Sequence, residues 1–132
     1  MLLSKITLGF TGILFVGYGL WCAVDPDVVA GYSGLVYETP GAATEVRAMY
    51  GGLEAGFGLF LLYGLANPAY RMPALMVTLF QVGGLVLCRT IGIALSGADA
   101  YNTGGAVIEG SITALAAASL WRVRHSGAPV TV

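Results

Sequence analysis

Four charged side chains stand inside otherwise apolar stretches of this sequence: Arg47, Glu54, Arg89 and Glu109. Two are cationic and two anionic, so the set can neutralise itself. A charge at mid-bilayer costs at least ~2.5 kcal/mol on insertion scales, so such residues face a protein interior and find partners there. Arginine presents a planar fork of donors to a carboxylate or an anionic headgroup, and carboxylates held beside arginines can be tuned to exchange protons. Arg47 and Glu54 are seven residues apart, two α-helical turns, and share one face with Tyr50 close beside it. In the N-terminal apolar run Thr7, Thr11, Tyr18 and Cys22 form a polar stripe. The spacing predicts one polar cluster of Tyr18, Arg47, Tyr50, Glu54, Arg89 and Glu109.

Other chemistries find no support in the sequence. Cys22 and Cys88 are far from each other and from the sole histidine, His125, which lies in the polar tail. No metal site, redox pair or haem-ligating histidine pair is therefore written here. No phosphate loop or nucleophile–base pair occurs, and no cofactor is expected. The net charge of −1 offers no basic surface for nucleic acid.

The elements that must position the cluster are four apolar runs, Ile6–Val24, Val46–Ala66, Ala74–Leu95 and Gly104–Trp121, each of 18 to 22 residues. About 20 residues of helix cross a hydrocarbon core. Apolar residues make up 57% of the chain and charged ones 10%, against roughly a quarter charged in soluble domains. Mean hydropathy is +0.81, which also excludes a disordered chain. Asp25-Pro26-Asp27 and Asn67-Pro68 end the first two runs, and Pro73 suits the first turn of the third. Ser96-Gly97 closes the third, and Asn102 or Thr103 is the expected N-cap of the fourth. The expectation is an all-α integral membrane four-helix bundle forming a single domain over residues 1–132. The first run exceeds the length of a signal-peptide core, so it is expected to be a retained helix.

Flanking charges orient the bundle. Lys5, Arg71, Arg122 and Arg124 lie at the termini and in the second loop, whereas Asp25, Asp27, Glu38 and Asp99 lie in the first and third. The positive-inside rule then places both termini in the cytoplasm of an inner (plasma) membrane protein. At ~1.5 Å per residue, Glu54 lies about 13 Å, Arg89 about 10 Å and Glu109 about 8 Å below the outer edge, with Arg47 nearer to it. All four charges thus fall in the outer half. Residues 25–44 form one long outer loop between helices 1 and 2, too apolar for a solvated linker. They are expected to form an interfacial helix or a lid over the outer mouth. Gly52-x-x-x-Gly56 is expected to let helices approach closely, and the glycine-rich faces suit a homo-oligomer.

Within the cluster, Glu54 is the deeper carboxylate and has two candidate cations, Arg47 and Arg89. It is expected to be the ion-paired structural member. Glu109, flanked by Gly105 and Gly110, is expected to be the freer group. Two arginines and two carboxylates can also do no more than lock four helices in register, and that reading stands beside the functional one.

The same residues carry a resemblance. The run EVRAMYGGLEAGFG at 45–58, CRTIG at 88–92 followed by Ser96-Gly97, and Glu109 in the last helix resemble a bacterial membrane family catalogued as domain of unknown function 4345. The resemblance spans nearly the whole chain; it implies a four-helix bundle and brings no activity with it. A second resemblance is to the small trimeric eicosanoid and glutathione enzymes of membranes, which carry an Arg and a Glu at the spacing of Arg47 and Glu54. They usually have an Asn where this chain has Gly51.

The leading expectation is a pocket in the outer half that binds a small lipophilic or amphiphilic ligand with a polar or anionic head. The alternatives are a proton-coupled small-molecule carrier, a non-enzymatic subunit packing on a partner membrane protein, and a trimeric membrane transferase or isomerase. The sequence leaves open whether the protein is an enzyme.

Overall fold

Inside lipid a backbone must satisfy its own hydrogen bonds, so the apolar runs fold as helices. The computed structural model describes residues 1–125. They form α1 (Leu2–Val24), α2 (Asp27–Ser33), α3 (Pro40–Val46), a π-helical stretch (Arg47–Leu53), α4 (Glu54–Ala66), a 3-10 turn (Pro68–Tyr70), α5 (Arg71–Ser96) and α6 (Ala100–His125). No strand occurs among the described residues. Four helical segments are long and apolar enough to cross a membrane: Leu2–Val24, Pro40–Ala66, Pro68–Ser96 and Ala100–His125. The chain is a multi-pass membrane protein built as a four-helix bundle.

Every span runs past its apolar core, and side-chain caps mark where the second, third and fourth begin. Thr39 accepts a hydrogen bond from Ala42 N at 3.1 Å and is followed by Pro40, so the second span starts within the expected loop. The Asn67 side chain accepts from Ala69 N at 3.1 Å and opens the turn into α5. The fourth span is capped by Asp99 rather than by Asn102 or Thr103. Asp99 Oδ1 accepts from Asn102 N at 2.9 Å, and Oδ2 accepts from Asn102 Nδ2 at 2.6 Å. These bonds, the side-chain one foremost, hold the Asp99 carboxyl below the usual carboxylate range.

Consecutive spans are neighbours. α1 packs along α4 and α5 along α6, while α1 with α6 and α4 with α5 close the ring. The α1–α4 seam is made of glycines. A Cβ built on Gly19 would stand 2.5 Å from Ala55 N, on Gly58 2.6 Å from Val16 N, and on Gly51 2.9 Å from Ala23 Cα. Backbones meet where side chains would hold them apart. The expected pair Gly52 and Gly56 takes no part: both are exposed, and a Cβ on Gly56 meets nothing within 4 Å. Gly51, Ala55 and Gly58 are spaced by four and three residues and face α1, and Gly52 and Gly56 each lie one residue farther round the helix.

Towards the termini the bundle is solid. Leu8, Phe15, Phe57, Leu61, Leu75 and Ile112 belong to one buried cluster, in which the Phe15 and Phe57 rings meet edge to face at 4.8 Å. Thr7 and Ser119 share a buried hydroxyl–hydroxyl hydrogen bond of 3.2 Å that ties α1 to α6. At the other end α2 folds over the bundle. Its Val28 and Val29 are buried with Cys22 and Val46, and Tyr18 and Tyr37 pack against them. Tyr37 donates a hydrogen bond to the Asp27 carboxylate, which pushes the phenol above its usual range.

Candidate functional site

Arg89 on α5 and Glu109 on α6 form a two-pronged ion pair. Arg89 Nε donates to Glu109 Oε2 at 2.9 Å and Nη2 donates to Oε1 at 2.6 Å. The third nitrogen, Nη1, donates to Asn102 Oδ1 at 2.8 Å. The guanidinium carbon lies 5.7 Å from the centre of the Tyr101 ring, within cation–π range. A Cβ on Gly105 would stand 2.9 Å from both Arg89 Cζ and Nε, so the guanidinium lies against bare helix backbone there. Because Asn102 also binds Asp99, a continuous chain Glu109–Arg89–Asn102–Asp99 links the span to the cap of α6. This is the sole ion pair among the described residues.

Beside the pair lies a cavity of about 430 Å³ walled by all four spans. α1 contributes Tyr18 and the second span Tyr50 and Glu54; α5 and α6 contribute Arg89, Tyr101, Gly104 and Glu109. Leucine and isoleucine side chains complete its wall. Glu54 is half-buried and has neither hydrogen bond nor ion pair among the described residues. A smaller cavity of about 280 Å³ lies under the 35–37 segment, and Tyr50 lines both.

Five of the six residues expected to cluster line this one cavity: Tyr18, Tyr50, Glu54, Arg89 and Glu109. Arg47 does not; it is exposed. The expectation assumed α-helical winding from Arg47 to Glu54, but Arg47–Leu53 is π-helical. A π turn bonds i to i+5 and winds wider, so seven residues fall short of two turns and Arg47 leaves the face of Glu54.

The expected division of labour between the carboxylates is reversed: Glu109 is the paired one and Glu54 stands alone. Depth could not separate them, because the depths expected from the sequence put both near Arg89. Lateral position does. α5 and α6 are joined by a short turn and pack along their lengths, so residues equally far from that turn face each other. That reflection about residue 99, which pairs 89 with 109, was available in the sequence; it does not lead to Asn102 or Tyr101, which the long Arg89 side chain reaches towards the turn. Arg71 differs from its reading as a loop-flanking charge. It is 8% exposed, and its Nε has no partner among the described residues. Nothing in its local sequence signals that burial.

No curated protein and no solved structure matches the chain. Residues 3–121, most of the chain, match the family described as Domain of unknown function (DUF4345), and the protein belongs to that family.

Proposed function

We propose that the cavity at the loop end of the bundle binds a small lipophilic or amphiphilic ligand within the membrane. The observation that carries this reading is an aromatic and aliphatic cavity of about 430 Å³ into which polar groups converge from four helices, one of them a carboxylate with no protein partner. Ligand sites have this composition, mostly apolar with a few placed polar groups. A bundle that used its charges only for register would need the Arg89–Glu109 pair and nothing more. Lys5, Arg71, Arg122 and Arg124 lie at the end bearing the termini and the acidic residues at the other. The positive-inside rule therefore supports cytoplasmic termini in an inner membrane and a cavity in the outer half.

The test is extraction of bound molecules from protein purified in a mild uncharged detergent, read by mass spectrometry. Wild type is expected to carry a stoichiometric small molecule. Gly104 lines the cavity, and a Cβ there meets nothing within 4 Å, so Gly104→Leu grows into the open space and should lose the molecule without unfolding. A wild-type protein that purifies empty, and gains no stability from added membrane extract, would overturn the reading.

A further inference from the structure

We infer, resting on the reading that this cavity holds a ligand, that the ligand carries a cationic head and that Glu54 is its counter-charge. The sequence favoured the opposite sign, because two arginines were expected to face the site. In the folded protein one of them, Arg47, is exposed and does not line the cavity. The other, Arg89, is occupied. Each of its three nitrogens already donates to a side chain, two to Glu109 and one to Asn102, while Tyr101 and Gly105 flank the guanidinium. An anionic head would have to displace a two-pronged carboxylate to reach it, and would leave that carboxylate uncompensated.

Counting the wall by sign, Arg89 and Glu109 cancel, and Glu54 remains. Its carboxylate faces the cavity with no donor from the protein. An isolated carboxylate in an apolar wall is costly, and either a proton or a cation relieves it. The surroundings favour a cation. Tyr18 and Tyr50 line the same cavity, while Tyr101 already lies against Arg89, and the faces of aromatic rings attract cations within about 6 Å of their centroids. Leu14, Leu85, Ile108 and Ile112 offer the apolar wall along which a hydrocarbon portion lies. The ligand class is thus a lipophilic amine or quaternary ammonium, with its charge between Glu54 and the rings of Tyr18 and Tyr50.

Tetraphenylphosphonium and tetraphenylborate have nearly the same shape and opposite charge, so the pair isolates sign from hydrophobicity. Binding of each to the full-length protein is measured by equilibrium dialysis in uncharged detergent, with protein-free micelles subtracted. The phosphonium is expected to bind saturably and more tightly than the borate. Glu54→Gln, which removes the charge with little change of shape, should weaken the phosphonium by about tenfold or more, the scale of one charge-assisted contact. Glu38→Gln in the exposed loop should not change it. The preference for one sign is read on wild type and does not depend on any variant folding. Equal or tighter binding of the borate overturns the cationic assignment and leaves the ligand-cavity reading standing. Undiminished phosphonium binding by folded Glu54→Gln overturns the role of Glu54. If neither ion binds and the protein also purifies empty, both readings fail together.

Discussion

Arg89 and Glu109 each stand ten residues from Asp99, one on either side, and the turn between α5 and α6 folds them into contact through two hydrogen bonds of 2.9 and 2.6 Å. The pair therefore belongs to a helical hairpin, and its loss should be felt as loosening of α5 from α6. Side-chain exposures of 22% and 12% leave it mostly shielded. Removing one partner of such a pair costs up to about 3–5 kcal/mol. Arg89→Ala and Glu109→Ala should each lower the melting temperature in detergent. Arg89→Ala combined with Glu109→Ala should lose less than the sum of the two single variants, because no lone charge remains. Additive losses in the double variant would show that the two side chains do not act as a pair.

Glu54→Gln should behave in the opposite way to Glu109→Gln. Glu54 has no cation to abandon, so neutralising it should leave the ligand-free protein as stable as wild type or more so. Glu109→Gln turns a charge-assisted pair into a weaker one and should destabilise by about 1–3 kcal/mol. Thermal melting of both variants after exhaustive ligand removal decides the matter. A larger loss from Glu54→Gln would mean that Glu54 holds Arg89.

Two adjacent glycines should respond differently to a single methyl group. In Gly105→Ala the Cβ would stand 2.9 Å from Arg89 Cζ and Nε, so the guanidinium must shift and its fork on Glu109 is disturbed. Because the clashing atoms end a flexible side chain, the cost should fall at or below the low end of overpacking, about 1 kcal/mol. Gly104→Ala meets nothing within 4 Å and should gain up to about 1 kcal/mol from helix propensity. Matched melting curves test this, and equal effects would place Arg89 away from Gly105.

The α1–α4 seam makes a parallel prediction. Gly58→Ala places a Cβ 2.6 Å from Val16 N, against backbone that cannot step aside, and should separate the two helices. Gly56→Ala faces open space and should be neutral or mildly stabilising. The readout is expression and melting in detergent. Tolerance of Gly58→Ala together with sensitivity of Gly56→Ala would reverse the assigned helix faces.

Acid should loosen the start of α6. The Asp99 carboxyl is held low chiefly by its hydrogen bonds to Asn102, so its folded pKa lies below its unfolded one. A depressed carboxylate contributes stability that is present above the unfolded value of about 3.9 and lost as pH falls through the folded value. Asp99→Asn keeps a capping side chain and removes that titration. Protection factors of the amides of residues 100–103, corrected for the intrinsic exchange rate at each pH, should therefore fall below about pH 4 in wild type, and less so in the variant. An identical pH profile in both would assign the acid response to another group.

Hydropathy together with the Pro, Asn and Gly breaks between runs made the four spans legible, because the cost of an unsatisfied backbone in lipid leaves a run of some 20 apolar residues a single regular form. It also placed Glu54, Arg89 and Glu109 near one depth, since rise per residue converts position along a helix directly into distance from the membrane edge. Depth is one coordinate of three. Which carboxylate Arg89 takes depends on which helix stands beside α5, and the hairpin with α6 outranks the contact with α4. Which glycines touch depends on helix rotation, and a shift of one residue exchanges the packed Gly51 and Ala55 for the exposed Gly52 and Gly56. Arg47 left the site because one stretch of backbone winds as a π-helix, which no side-chain pattern in 47–53 announces. Arg71 is likewise buried without a signal in its local sequence. Transfer to lipid acts on each segment separately and is written in local composition. Lateral pairing and rotation are set by contacts between segments, and those exist only once the helices have packed.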